Sequence, residues 1–484
     1  MTARGNSLDG KDKMSNNILI WMPLSPINKW VGEGIAQTIE NIIMAMDDSL
    51  KFTILINKNH YLEVFQSIGH KKNISIVPLS IFWPFFKKRK NKYKIFYFTD
   101  GEEEDIFEIT FRDKLSSFLK KIGIKFDLGS TAKILFYLAS LRVILFLHNR
   151  LNIFKADLIW IPIPIIPWTE YLKGKKVHSF WDPFVFEYRE FENFSLFLYK
   201  KYSIVFKKVE KIITQSNSNK EYLCKIFGIP EKKITVIYNG SPDYSKFKKN
   251  INSDGIGVKR DLIRYWKKRS KFIYSKREEL VNALYHELIN HSILNRLEKR
   301  LNNSSKIILV SSQYRVYKGF ETLFKIIEKL IKKNPNYLFI FTTIIPEKLK
   351  SDYAHFLENL FEITRVSKEQ HAILYQLADL ILHPSYSEGG LGCYPQFEAA
   401  SLGKPCLVNE GRHTEEACRV FGDCFRKITA DFRDIDSTIK KIEILVSNLA
   451  AAEENTRISL EGMISWEKVS LEYKKLFMEI IEKC

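Results

Sequence analysis

Two glutamates and three glycines crowd into the run LILHPSYSEGGLGCYPQFEAASLGKPCLVNEG, residues 380–411: Glu388, Gly389, Gly390, Gly392 and Glu398. A carboxylate can accept hydrogen bonds from two vicinal sugar hydroxyls at once, and each such charge-assisted bond contributes about 1.5 to 3 kcal/mol. Glycines let backbone N–H groups come close to an anion, and a helix N-terminus beyond them adds partial positive charge. Two glutamates around a Gly-rich turn suit a solvated loop and a helix cap as well, so the stretch by itself leaves both readings open.

The elements that must position these residues follow from the same run. It reads as an apolar strand, the glycine loop, a short helix around Phe397 to Ser401, a Gly403-Lys404-Pro405 break and a second apolar strand, which is one βαβ step. In open parallel sheets a ligand lies beyond the carboxyl ends of the strands, and the loop falls there. Upstream, SSQYRVYKGFETLF (residues 311–324) sets Arg315 and Lys318 just ahead of a helical pattern. A lysine point charge and an arginine fork beside a helix N-terminus suit two phosphates. Near the start, the strand NILIWM (residues 17–22) leads into a loop holding Gly32, Glu33 and Gly34 and a helix from about Ile35 to Met46. The spacing is not G-x-G-x-x-G, which disfavours an NAD site.

Between these stretches the period-2 and period-3.6 patterns predict strands at 52–56, 74–78, 158–161 and 176–180. Helices are predicted at 61–68, 111–122 and 133–149. Residues 211–243 read as a strand, a helix capped by Ser216 and stopped by Gly228, and a strand ending at Asn239-Gly240. Residues 244–305 have no βαβ rhythm, although 278–301 is helical in pattern. They hold 15 Lys and Arg against six Asp and Glu, a net +9. From Lys306 the βα alternation resumes, with a strand at 337–342 and a helix at 367–377.

The motifs in this order resemble the retaining, nucleotide-sugar-dependent glycosyltransferases of family 4. That family carries P-S-x-x-E-G-x-G followed by E-A-x-x-x-G-x-P, which Pro384, Ser385, Glu388, Gly389, Glu398, Ala399, Gly403 and Pro405 match. The departure is that nine residues separate Glu388 from Glu398 where the family has seven. WDPFVFEY, residues 181–188, stands where the family reads H-D-x-x-P, with Trp181 in place of the histidine and Asp182 kept. His178 is a weaker candidate nearby. In the phosphate loop the family's spacing puts its arginine at Gln313, whereas Arg315 lies three before Lys318.

The resemblance implies an α/β chain of two Rossmann-like, doubly wound domains facing an interdomain cleft, the GT-B arrangement. Residues 1–16 are then a polar leader, 17–243 an N-terminal acceptor-side domain, and 244–305 a basic hinge insertion. Residues 306–455 become the nucleotide-sugar domain, and 456–484 a terminal helix that packs back on the first. The implied reaction moves a hexosyl group from a nucleotide-diphosphate donor to an acceptor hydroxyl with retained anomeric configuration. Glu388 and Asp182 are the expected catalytic residues. Arg315, Lys318, Gly389, Gly390, Gly392 and Glu398 are expected to bind donor, and Gly32, Glu33 and Gly34 to form an acceptor and phosphate loop. No D-x-D pair stands in a metal-binding context, so a metal-free site is expected, with the nucleotide-sugar as substrate and no cofactor.

The composition bounds the rest. A chain of 484 residues, 45% hydrophobic, is long enough for two cores. Six cysteines without C-x-x-C or zinc-like spacing read as reduced thiols of a cytoplasmic protein. No window reaches the roughly 20 apolar residues of a spanning helix. A formal charge of +19 and a pI near 9.3 favour anionic partners. Aromatic and basic residues alternate through IFWPFFKKRKNKYKIFYF, residues 81–98, the mixture that interfacial membrane binding uses. The resemblance implies as partners a nucleotide-sugar donor and a glycan or lipid-linked acceptor of envelope polysaccharide or lipopolysaccharide synthesis, and the basic and aromatic residues add the inner face of the cell membrane as a peripheral contact. Two other classes account for part of the pattern. One is a catalytically silent glycan- or lipid-binding scaffold of the same fold. The other is a basic nucleic-acid-binding protein, for which no recognisable module is present.

Overall fold

The computed structural model describes residues 16–22, 34–57, 60–79, 141–163, 168–187, 192–250, 255–269 and 277–483. The expected loop residues Gly32 and Glu33 and the aromatic–lysine stretch 81–98 lie outside these, as does the helix predicted at 111–122.

Short apolar runs become parallel strands in two sheets. Asn17–Met22 (β1), Lys51–Asn57 (β2), Ile74–Leu79 (β3), Leu158–Ile161 (β4), Lys176–Phe180 (β5), Lys211–Thr214 (β6) and Ile234–Val236 (β7) make the first, in the order β3-β2-β1-β4-β5-β6-β7. Lys306–Val310 (β8), Tyr337–Phe341 (β9), Leu360–Glu362 (β10), Leu380–His383 (β11), Cys406–Asn409 (β12) and Thr429–Ala430 (β13) make the second, in the order β10-β9-β8-β11-β12-β13. All its neighbouring strands run parallel. Residues up to 179 with 201–212 and 474–484 form one compact unit, and residues 180–200 with 213–473 form the other.

In the first unit β1 is buried from Ile18 to Met22, and helix Gly34–Ala45 lays Ala36, Ile39, Ile42 and Ile43 inward at helical spacing. The C-terminal residues of this unit fasten to it. The Phe477 ring lies 5.6 Å from Trp160, and Lys474 pairs with Asp47 at 2.5 Å.

In the second unit, side chains along each strand alternate between two apolar layers, as a sheet covered on both faces demands. Ile307, Leu309, Leu338, Ile340, Ile381 and Val408 enter one layer. Ile308, Val310, Phe339, Phe341, Leu382 and Leu407 enter the other, beneath helices Phe320–Lys333 and Ile435–Ser447. The covering helices of the first layer include Lys368–Leu377 and Tyr394–Ser401. The last of these begins three residues ahead of the predicted Phe397, because Cys393 is extended and Pro395 is accepted in a first helical turn.

Residues 244–305, expected as a basic hinge insertion, are built into the core of the second unit. Helices Gly255–Arg269 and Arg277–Arg300 are part of the first layer's cover, and Leu262, Ile263, Trp266, Leu294, Leu297 and Leu301 are buried in it. Several of the basic residues are neutralised in place. Lys249 pairs with Glu369, Lys259 with Asp379 and Lys267 with Glu298, each at 2.6 Å, and Arg264 with Asp261 at 3.0 Å. Composition alone suggested a free positive surface because the acids that meet Lys249 and Lys259 lie some 120 residues later.

Trp266 is 1% exposed and its indole N–H donates to Glu287 Oε1 at 2.8 Å. Trp266→Ala should therefore cost about 3 to 5 kcal/mol, the range for deleting a large core side chain, measured by urea unfolding. A loss within about 0.5 kcal/mol, typical of a surface position, would return this helix to the solvent.

Candidate functional site

The second sheet reverses its strand order between β8 and β11, and the carboxyl ends of strands on either side of such a reversal open a crevice. The loops after β8 and β11 carry Lys318 and Glu388, so the fold delivers both to one place. How closely they meet depends on Gly319. Its φ of +66° lies in the left-handed region, and a β-carbon there would overlap the Pro384 carbonyl oxygen. With glycine the loops close on each other: Tyr386 N–H donates to Tyr317 O at 3.0 Å, and the Thr322 and Tyr386 hydroxyls lie 2.6 Å apart.

Lys318 Nζ pairs with Glu388 Oε1, and His383 Nε2–H donates to the same oxygen at 2.8 Å. The Lys318 and Glu388 side chains are 13% and 24% exposed, whereas His383 is 2% and His413 1% exposed. Burial pushes the Glu388 carboxyl up. The Lys318 ammonium and the His383 hydrogen bond more than reverse that push and hold it well below the ordinary carboxylate range. Burial lowers both imidazoles, His413 to about 3, against the opposing pull of Glu388. They are neutral at physiological pH. Among the described residues, neither ring nitrogen of His413 nor Nδ1 of His383 has a hydrogen-bond partner. A buried polar group left so costs about 1 to 3 kcal/mol. The helix Arg412–Phe421, which carries His413, begins where β12 ends, beside the same crevice.

The glycine loop is held from its other side. Asn219 Nδ2 donates to Gly389 O at 3.1 Å and to Trp181 O at 2.8 Å, and Gln215 Nε2 donates to Trp181 O at 2.5 Å. A β-carbon at Gly389 would overlap Gln215 and the Trp181 carbonyl, and it would stand 3.2 Å from Asp182 Cβ. Asp182 and Gly389 are thus neighbours. Gly390 lies along Gln215, and Gly392 N–H donates to His413 O at 3.2 Å. The helix Asn217–Phe227 is capped as predicted by Ser216, whose hydroxyl accepts from Asn219 N–H at 3.1 Å. The carboxylate of Glu416, 0% exposed, also sits on that helix end. It accepts from Asn217 N–H at 2.7 Å, Ser218 N–H at 3.3 Å and Tyr238 OH at 3.0 Å.

Two expected donor residues take other positions. Arg315 is exposed, its guanidinium 3.4 Å from Gln313 Oε1, and its link to Lys318 is through the backbone, Lys318 N–H to Arg315 O at 2.9 Å. Glu398 is 5% exposed and accepts a 2.5 Å hydrogen bond from Tyr375 OH. Around it the network continues: Tyr244 OH lies 3.2 Å from His371 Nδ1, and Ser311 Oγ 2.8 Å from His371 Nε2. Burial, and then the Glu398 charge, raises both tyrosines well above their ordinary range. Gly34 opens the helix Gly34–Ala45 in the first unit. Among the described residues no group of three His, Cys, Asp or Glu side chains is placed to hold a metal ion.

Sequence reasoning missed His383 and His413, because a lone histidine in an apolar strand or helix start is usually a core residue. It also missed Gln215 and Glu416, whose partners are distant in sequence.

Residues 88–242 match the family model described as Glycosyltransferase Family 4, and residues 294–459 match the one described as Glycosyl transferases group 1. No curated protein matches the chain in sequence. Among solved structures, sucrose-phosphate synthase from Thermosynechococcus elongatus is similar over 97% of this chain and 100% of its own, with a TM-score of 0.60 at 13% identity. Anabaena HepE in complex with UDP-glucose is similar over 96% and 99%, with a TM-score of 0.55 at 10% identity. WaaG, a glycosyltransferase involved in lipopolysaccharide biosynthesis, is similar over 95% and 99%, with a TM-score of 0.53 at 11% identity. At these identities the structures speak to the fold, which is GT-B. With the two family matches, the chain is a glycosyltransferase of the family 4 type.

Removing the Lys318 cation should be felt twice. Lys318→Ala should lower turnover by about 100-fold, the usual loss for one charge partner of a transition state. It should also change acid sensitivity. Because the folded Glu388 lies below its ordinary 4.5, the pair's stabilisation is complete above that pH and is lost as pH falls toward the depressed value. The stabilities of wild type and variant should then differ most above about pH 5 and converge in acid, as read from urea unfolding across pH. Parallel curves would remove Lys318 from this role.

Proposed function

We propose that the chain transfers a hexosyl group with retained anomeric configuration from a nucleotide-diphosphate donor to a hydroxyl of a glycan or lipid-linked acceptor, in envelope polysaccharide or lipopolysaccharide synthesis. The observation that carries this reading is the meeting of Lys318, Glu388 and His383 at the strand reversal of the second sheet. As the bond between the anomeric carbon and the phosphate oxygen breaks, the departing diphosphate gains negative charge. A cation already in place stabilises that state more than the ground state. Lys318 is that cation, and Arg315 reaches the same diphosphate from the exposed side of the loop. An anion that draws Lys318 away leaves Glu388 free to accept sugar hydroxyls, while Asp182, beside Gly389, faces the reacting sugar and acceptor. Glu398 binds the ribose, held in orientation by Tyr375. Gly32, Glu33 and Gly34 are assigned to the acceptor side. The UDP-glucose complex of HepE and the lipopolysaccharide role of WaaG support the donor class and the process.

Nucleotide release from a panel of UDP-, GDP- and ADP-sugars tests the reaction, and the anomeric proton coupling of the product tests retention. Release from one nucleotide series is expected, with the axial or equatorial bond of the donor kept. A panel that binds without release favours the silent scaffold instead.

The process also places the protein on the inner face of the cell membrane as a peripheral contact. The Lys87 to Lys92 cluster in the sequence supports it. No helix among the described residues is long and apolar enough to cross a membrane. Co-sedimentation should be stronger with anionic than with neutral liposomes and should fall with salt, since exposed charges are screened over about 8 Å at physiological ionic strength. Equal recovery on both liposome types would rule it out.

A further inference from the structure

Three imidazole nitrogens around one carboxylate have no hydrogen-bond partner among the described residues: Nδ1 and Nε2 of His413 and Nδ1 of His383. The two rings stand edge to face, 6.4 Å between centroids, and both are essentially closed to solvent. They belong to different elements, one to the end of β11 and one to the first turn of Arg412–Phe421. Native proteins rarely leave several buried polar atoms together without a purpose, and such groups mark a missing water or ligand. The group they would meet is constrained by charge. Glu388 supplies a negative charge at this spot, and Lys318, the cation beside it, is the residue assigned to the diphosphate. Burial keeps His413 neutral, with Glu388 drawing it up and His383 and Lys318 pressing it down. A neutral imidazole offers one donor and one acceptor, the complement of a hydroxyl. It offers nothing to offset a second carboxylate next to Glu388.

We propose that His413 is a specificity-determining residue of the donor site, which with His383 receives hydroxyls of the transferred sugar and selects a neutral sugar over a uronic acid. This rests on the reading of the site as a nucleotide-sugar transferase. The sugar seats where Glu388 and the two rings converge, and the nucleotide lies outside their reach. His413 then contributes to the affinity for a sugar nucleotide and not to that for the free nucleotide.

The experiment uses the full chain with UDP-glucose, GDP-mannose, ADP-glucose and UDP-glucuronate, and with UDP, GDP and ADP alone. Wild type should release nucleotide from a neutral-sugar donor and turn over UDP-glucuronate at least about 10-fold less well than UDP-glucose where UDP is the preferred nucleotide. His413→Leu, close in volume and unable to hydrogen-bond, should lower kcat/KM for the neutral donor by about 10-fold or more, with free-nucleotide affinity unchanged. Its melting temperature should hold or rise, since an unsatisfied polar group is removed. His413→Gln, which keeps a donor and an acceptor, should recover part of the loss. Equal loss of free nucleotide and sugar nucleotide, or a His413→Leu enzyme within about twofold of wild type, overturns the assignment. So does a wild type that prefers the uronate. A wild type that releases nucleotide from none of the donors overturns the transfer reading first, and this assignment with it.

Discussion

A single close approach, that of Gly319 to the Pro384 carbonyl oxygen, sets where cation and carboxylate meet. Everything else at the crevice is arranged around that distance. The loops after β8 and β11 come from strands that are neighbours in the sheet but some 70 residues apart in sequence, and only a residue without a β-carbon lets them touch. Once they do, Lys318 reaches Glu388, His383 is drawn to the same oxygen, and the glycines of the second loop press against Gln215 and Trp181. A cation kept beside the crevice is close to where negative charge develops, which is the condition for electrostatic stabilisation of a transition state.

Much of this was legible in the chain. The strands at Leu158–Ile161 and Lys176–Phe180 and the helix Tyr61–Ile68 fall on the predicted residues, since each is bounded by a strong breaker or a clean change of period. Ser367 and Gln370 complete a capping box at the start of Lys368–Leu377, again a local signal. What the sequence hid was long-range. The ion pairs of Lys249 and Lys259 reach acids far along the chain, so a basic count looked like a surface. The two histidines beside Glu388 gave no pattern at all, because their meaning lies in partners they lack.

Glu398 shows how a matched motif and its surroundings divide the information. The motif identifies the residue, and the fold identifies its company: Tyr375, with Tyr244, His371 and Ser311 in a connected set of polar groups. Such a set fixes orientation at the cost of tolerance, because each member satisfies another and the loss of one strands the rest. The turn that follows Glu388 ends on the helix Tyr394–Ser401, which carries Glu398.

The helices Gly255–Arg269 and Arg277–Arg300 carry a different lesson. Family models match residues 88–242 and 294–459, and the helix Gly255–Arg269 lies in the stretch between them. Yet Leu262, Ile263 and Trp266 from that stretch pack with Ile307, Leu309 and Ile381 in one apolar layer. The boundary of shared ancestry and the boundary of the folding unit are therefore not the same line. A fragment cut at the edges of the matched residues would carry the sheet and its crevice but leave part of one face of the sheet uncovered. In exchange between relatives, this segment must travel with the strands it covers.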